Sequence, residues 1–227
     1  MTVTKLRMPK TGNPFIDAFS EVCIYFPLLP VIIIFLKKAY QQESLNFLMI
    51  LSLLYFVKGL LLLIPGLPPS GLHMMEKLFS LLELLILILI FRIQFTGKLR
   101  YTVTLFQVAF LSSFITFNLL TGLHQPAGPV QGAADGILLL MAVYSLSELI
   151  IREEAHIFKA PLFWIAGGTI FYFSISLLVQ GLGGYGNLTG KAAPADTQLL
   201  LDVADAARFL LYSLGGILFD RHPPSRA

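Results

Sequence analysis

Residues 45–64 read LNFLMILSLLYFVKGLLLLI, an apolar run interrupted by one charge, Lys58, and stopped by Pro65-Gly66-Leu67-Pro68-Pro69. A helix needs roughly 20 apolar residues to cross the ~30 Å hydrocarbon layer of a bilayer, and lipid offers no partner to an unpaired backbone N–H or C=O. This run is therefore read as a membrane crossing. Working outward, the same reading applies at Asp17–Leu36, His73–Phe95, Tyr101–Leu120, Asp135–Ile151, Pro161–Leu182 and Leu199–Phe219. With Leu45–Ile64 these make seven spans, which predicts an all-α polytopic membrane protein, a bundle of seven transmembrane helices forming one domain over 1–227. Pro27 and Pro30 predict a kink in the first span.

Composition agrees. Hydrophobic residues make up 56% of the chain and charged ones 13%, and the mean hydropathy is +0.78, outside the range of a soluble domain. The net charge of +3 comes from Lys and Arg gathered in alternate loops, where membrane topology explains them and nucleic-acid binding does not. The single cysteine, Cys23, excludes an internal disulfide or a cysteine metal site and is read as packing. No small-residue cleavage pattern follows the first apolar run, so the first helix itself is expected to direct insertion.

The loops differ by parity. Odd loops carry Lys37 and Lys38, Lys98 and Arg100, and Arg152 and Lys159. Even loops carry glycine and proline: residues 65–71 and 121–132 contain no Lys or Arg, and the third even loop contains only Lys191. The positive-inside rule then places the odd loops and the tail with Arg221 and Arg226 in the cytoplasm and the N-terminus outside. The basic N-terminal tail, Lys5, Arg7 and Lys10, argues the other way but weighs less than the bias across six loops. Trp164, Tyr40 and Tyr101 fall near the cytoplasmic interface, which suits their amphipathic rings.

Ionisable residues within spans cost about 2.5–3.5 kcal/mol each at mid-bilayer unless paired or hydrated, so chemistry is sought there. They are Glu21, Lys58, Glu76, Lys77, Glu83, Glu148, Asp202, Asp205 and Arg208, and with this orientation all but Glu148 lie in the outer half or near the middle. Helical spacing aligns His73, Glu76, Ser80 and Glu83 on the third helix, Thr169, Tyr172, Ser176 and Gln180 on the sixth, and Asp202, Asp205, Arg208 and Tyr212 on the seventh. These stripes are expected to face one another around a polar, partly hydrated pocket open to the outside. Lys58, Glu83, Asp202, Asp205 and Arg208 are its candidate ligand-binding residues, the cations meeting anionic groups and the carboxylates fixing the cations. A purely structural reading stands beside this one, because buried pairs such as Lys58 with Glu83 or Asp205 with Arg208 also fix helix register. Gly167 with Gly168 and Gly215 with Gly216 are read as close-packing positions, Glu148 with Arg152 as a solvated i, i+4 pair, and Asn187-Leu188-Thr189 as an incidental acceptor triplet.

Other chemistries lack their residues. His124, His156 and His222 lie in loops or the tail, so paired-histidine haem ligation, a zinc hydrolase and a Ser-His-Asp triad are unsupported. Helix seven offers Arg208 where a retinal Schiff base needs a lysine. No cofactor, metal or catalytic residue is assigned. An acid pair such as Glu83 with Asp202 keeps an intramembrane lipid hydrolase or transferase as an alternative, and a small transporter is another.

At Pro161-Leu-Phe-Trp164-Ile-Ala-Gly-Gly-Thr-Ile-Phe-Tyr172-Phe-Ser174 the chain resembles a seven-helix membrane module of the Bacteroidota type, found alone or ahead of a sensor histidine kinase. The acidic third helix (His73, Glu76, Glu83) and the close of helix seven (Tyr212 to Gly216) extend the resemblance. It implies a sensory or receptor-like module of the bacterial inner membrane, and the one-sided charge distribution adds the expectation that it binds a small or lipidic ligand from the outer side. With only eight residues after Phe219, a kinase output is expected to be a separate cytoplasmic signalling partner, contacted by loops around Arg100 and Arg152.

Overall fold

A computed structural model describes residues 14–64, 68–93, 95, 97–121, 129–152, 157–189 and 196–219. The basic N-terminal tail, three connecting segments with His124, Glu153, Glu154, His156 and Lys191, and the tail carrying Arg221, His222 and Arg226 lie outside these, as do the side chains of His73, Lys98, Arg152 and the 187–189 triplet. The described chain is helical, with α1 at Pro14–Cys23, α2 at Leu28–Leu36, α3 at Glu43–Leu62, α4 at Pro69–Arg92, α5 at Gly97–Thr121, α6 at Pro129–Arg152, α7 at Pro161–Thr189 and α8 at Asp196–Leu218. Short 3-10 turns at Ala39–Gln41 and Ile157–Lys159 precede α3 and α7.

Several helix ends follow from proline chemistry. Pro69, Pro129 and Pro161 each open a helix, at the position where the missing N–H costs nothing and φ is already helical. The first apolar stretch breaks instead of merely kinking. Pro27 cannot donate to Cys23 O and Pro30 cannot donate to Phe26 O. Phe26 N and Leu29 N take those carbonyls at 3.2 and 3.0 Å, a tighter i, i+3 pattern that separates α1 from α2. Elsewhere the helices outrun the apolar stretches: α6 begins six residues before Asp135 and α7 ends seven after Leu182, because backbone hydrogen bonding continues a helix past the point where side chains stop being apolar.

Among the described residues, four segments are long and apolar enough to cross a membrane, Ala18–Leu36, Glu43–Leu62, Gly132–Ile151 and Pro161–Gly181. The helices α4 and α8, 24 and 23 residues long, match them in length, about 36 and 35 Å at ~1.5 Å per residue, but carry the charged stripes. In α5 the apolar part is Val108–Phe117.

The helices pack as a closed ring. In order around it, α8 lies against α7, α7 against α6, α6 against α4, α4 against α3, α3 against α2, and α2 against α8. The half-helix α1 rests on α8, and α5 lies against α4 outside the ring. Inside, Ile34, Leu45, Leu48, Leu87, Ile90, Phe91, Ile165 and Phe173 form a dry apolar core. Most of it occupies the half that holds the odd loops. There Lys37 Nζ donates to Ile217 O, a lysine on the carbonyl end of α8 where the helix dipole favours it. Trp164 Nε1 donates to Phe158 O at 2.8 Å at the same end.

Glycine sets the α7–α8 approach. A Cβ on Gly168 would stand 2.9 Å from Tyr212 Cε1 and 3.1 Å from Arg208 O, whereas one on Gly167 would meet nothing within 4 Å. Gly215 and Gly216 likewise face Pro161 O and Ile33 Cγ2, each at 3.1 Å. Three of the four paired glycines thus serve close packing, and Gly167 does not. Gly168→Leu is expected to destabilise the bundle by about 1–3 kcal/mol through overpacking, while Gly167→Leu changes little; thermal unfolding of both variants in one detergent checks this.

Candidate functional site

Arg208 is the central residue of the ring. Its side chain is 0% exposed, although a guanidinium cannot shed its charge. Ten residues before Leu218, it lies about 15 Å from the end of α8. Glu83, nine residues before Arg92, lies about 14 Å from the matching end of α4. For a helix pair that crosses a ~30 Å layer this is mid-depth, where an unpaired charge is most costly.

The charge is held from all sides. Arg208 Nη1 donates to Glu83 Oε1 at 2.5 Å and Nη2 to Asp205 Oδ1 at 2.5 Å. Tyr55 of α3 donates its hydroxyl to Glu83 Oε2. The flat guanidinium is sandwiched between the Tyr172 ring, centroid at 3.9 Å, and the Tyr55 ring at 4.5 Å, with Phe209 at 5.0 Å. Stacking of this kind adds roughly 0.5–2 kcal/mol per ring to a desolvated cation. Tyr212 closes the cluster below, its hydroxyl 2.9 Å from Thr169 Oγ1. Arg208 Nε, buried, has no hydrogen-bond partner among the described residues.

Exposure differs sharply within this cluster. Glu83 is 8% exposed and uses both oxygens, whereas the Asp205 side chain is 28% exposed. The other two candidates sit at its rim. Lys58 is half-buried, with Nζ 5.4 Å from the Tyr55 ring centroid and no ion pair among the described residues. Asp202 is half-buried and accepts from Ser20 Oγ of α1 at 2.5 Å. All five candidate residues therefore lie on or beside one cluster. Arg208 and Glu83 are sealed within it, so a ligand would meet Asp205, Asp202 and Lys58 instead. The two structural pairs considered from the sequence resolve differently: Asp205 with Arg208 is made, but Glu83 goes to Arg208 and Tyr55 and not to Lys58.

The remaining stripe members divide. Glu76 is exposed while Lys77, beside it, is buried, so the α4 stripe turns inward only at Glu83. Glu21 on α1 is exposed, and Glu148 accepts from Tyr144 Oη at 3.0 Å.

A second polar cluster was missed, because Asp135 marked only the start of a span in the sequence. It is 2% exposed, well inside α6, and its Oδ2 accepts from Ser176 Oγ at 2.8 Å and Gln180 Nε2 at 2.7 Å. The signal was the α7 stripe: Ser176 and Gln180, expected to face the charged stripes of the third and seventh spans, turn to α6 instead. Among the described residues no group of three or more His, Cys, Asp or Glu is arranged to hold a metal ion.

Removing one member of a buried ion cluster strands the others. Arg208→Met or Glu83→Leu alone is expected to destabilise by about 3–5 kcal/mol, while the combined Glu83→Leu, Asp205→Leu, Arg208→Met variant regains most of the loss; chemical denaturation in micelles reads the three values. Asp135→Leu, which removes the acceptor of the buried Ser176 hydroxyl and of Gln180, costs about 1–3 kcal/mol, and Asp135→Asn clearly less in the same assay. Neither a protein-family model, nor a curated protein, nor a solved structure matches this chain, so the cluster's chemistry is the ground for any functional reading.

Proposed function

We propose that the protein is a sensory or receptor-like module of a bacterial inner membrane. All seven long segments, with α1 and α2 together forming the first, cross the bilayer with the N-terminus outside and the C-terminus in the cytoplasm. Two features support the crossing of α4 and α8. Both are long enough, and their charges are internally paired at mid-depth instead of facing lipid. The parity of the basic loops supports the direction.

The observation that carries the functional reading is the unequal exposure of the two carboxylates on Arg208. Glu83 ties α8 to α4 from a sealed position, while Asp205 offers the same arginine a partner that solvent or a ligand can reach. A small or lipidic ligand arriving from the even-loop side would compete for Asp205, with Asp202 and Lys58 beside it. Weakening that half of the clasp redistributes Arg208 toward Glu83 and changes how α8 sits against α4. Helix shifts of roughly 1–2 Å are a common currency of such relays. The odd loops, near Arg100 and Arg152, would present the change to a separate cytoplasmic partner.

Spin labels at Ile93 and Leu218, both exposed and next to the odd-loop ends of α4 and α8, test the relay. Pulsed dipolar spectroscopy of Asp205→Asn in lipid nanodiscs should move their distance distribution by roughly 1–2 Å or more while secondary structure persists. An unchanged distribution would leave the cluster as a fixed scaffold.

A further inference from the structure

Once Arg208 has taken Glu83 Oε1 and Asp205 Oδ1, two charged atoms remain beside the Tyr55 stack: Lys58 Nζ and Asp205 Oδ2. Neither has a hydrogen-bond or ion-pair partner among the described residues, and neither is sealed away from the surface as Arg208 Nε is. They lie within electrostatic reach of each other without pairing. Asp202, half-buried one turn earlier on α8, is engaged by Ser20 Oγ. The site is thus polarised where it can be reached, with one positive and one negative atom unpartnered.

That pattern selects a ligand class. A lone anion on Lys58 would leave Asp205 Oδ2 unpartnered, and a lone cation on Asp205 would leave Lys58 Nζ so, each an uncompensated charge in a low-dielectric site. A molecule carrying both signs satisfies both groups and adds no net charge. We infer that Lys58 and Asp205 form a binding site for a zwitterion, with an anionic oxygen on the Lys58 ammonium and an ammonium on the free oxygen of Asp205. Position fits as well. Lys58 is four residues from the end of α3, about 6 Å, and Asp205 nine residues into α8, about 14 Å, so the site slopes inward from head-group level. An ammonium and a phosphate or carboxylate joined by a short linker have this chemistry, in an ethanolamine phospholipid head group or in a free amino compound.

This inference rests on the receptor reading above and names its ligand class. The test uses the full chain in phosphatidylglycerol nanodiscs, with thermal unfolding followed as O-phosphoethanolamine, glycine, ethanolamine or inorganic phosphate is added, and in parallel discs containing phosphatidylethanolamine. A zwitterionic probe at a hundredfold excess over its Kd should raise the midpoint by roughly 5–11 °C, and Lys58→Gln and Asp205→Asn should each abolish the rise. Both substitutions are mild: Lys58 is half-buried without an ion pair, and Asn keeps an oxygen for Arg208. Their ligand-free unfolding reports whether they fold, and Lys58→Met and Asp205→Ser replace any that do not. A response confined to the phosphatidylethanolamine discs assigns the lipid head group, and one to the soluble probes assigns a free molecule. If phosphate or ethanolamine alone stabilises as strongly, through only one of the two residues, the zwitterion is overturned and a ligand site survives. If both variants retain the response, binding lies elsewhere and the inference fails. If no probe or lipid shifts the wild type, the inference fails, while the receptor reading stands or falls on the spin-label distances.

Discussion

A guanidinium that cannot lose its charge sits fully buried near the middle of α8, and the rest of the architecture answers to it. On the insertion scale such a charge costs about 2.5–3.5 kcal/mol if left alone. Four helices contribute to holding it: α4 with Glu83, α3 with Tyr55, α7 with Tyr172, and α8 with Asp205 and Phe209. Each has to arrive at one depth and one rotation. A slip of a single residue along α4 would turn Glu83 by about 100° away from the ring interior. Hydrophobic packing tolerates such slips far better than an ion cluster does, so register comes from the charges and close contact from the glycines.

The same constraint divides the bundle along its length. Toward the odd loops, leucines, isoleucines and phenylalanines fill the ring, and Lys37 closes the carbonyl end of α8. Toward the even loops the interior turns polar: Asp202 reaches Ser20 across to α1, and Asp135 gathers Ser176 and Gln180 between α6 and α7. The break at residues 24–27 belongs to this upper half. By separating α1 from α2 it lets α1 follow α8 and supply Ser20, a contact that a straight first helix bound to α3 along its whole length would have to reach differently.

Much of this was legible before any coordinates. Apolar run lengths located the long helices, Pro27 and Pro30 located the break, and spacing aligned Asp205 with Arg208 and placed Tyr172 on an inward stripe. These are properties of one helix at a time. What stayed hidden involves two. Glu83 pairs with Arg208 and not with Lys58, a result that depends on the relative height of α4 and α8, about which their separate sequences say nothing. Tyr55 drew no notice because a tyrosine in an apolar run reads as packing, although it lies one turn before Lys58 on the same helix. Asp135 was hidden by its position: next to a glycine at the edge of an apolar stretch, it looks like a boundary until α6 extends six residues beyond it.

A fully buried ion cluster is poor evidence that stability required it, since well-packed apolar side chains of similar size usually serve as well or better. Its value lies in having discrete partners. Arg208 holds one carboxylate that is sealed and doubly bonded, and one that keeps a free oxygen at the surface. Any molecule that distinguishes between these partners must do so at Asp205, because Glu83 has no oxygen left and Arg208 no exposed surface. The free energy such a molecule can transmit is limited to the difference in its affinity for the two arrangements of the clasp. A polarised rim suits this limit: a ligand of both signs redistributes charge locally without the cost of carrying net charge into the membrane.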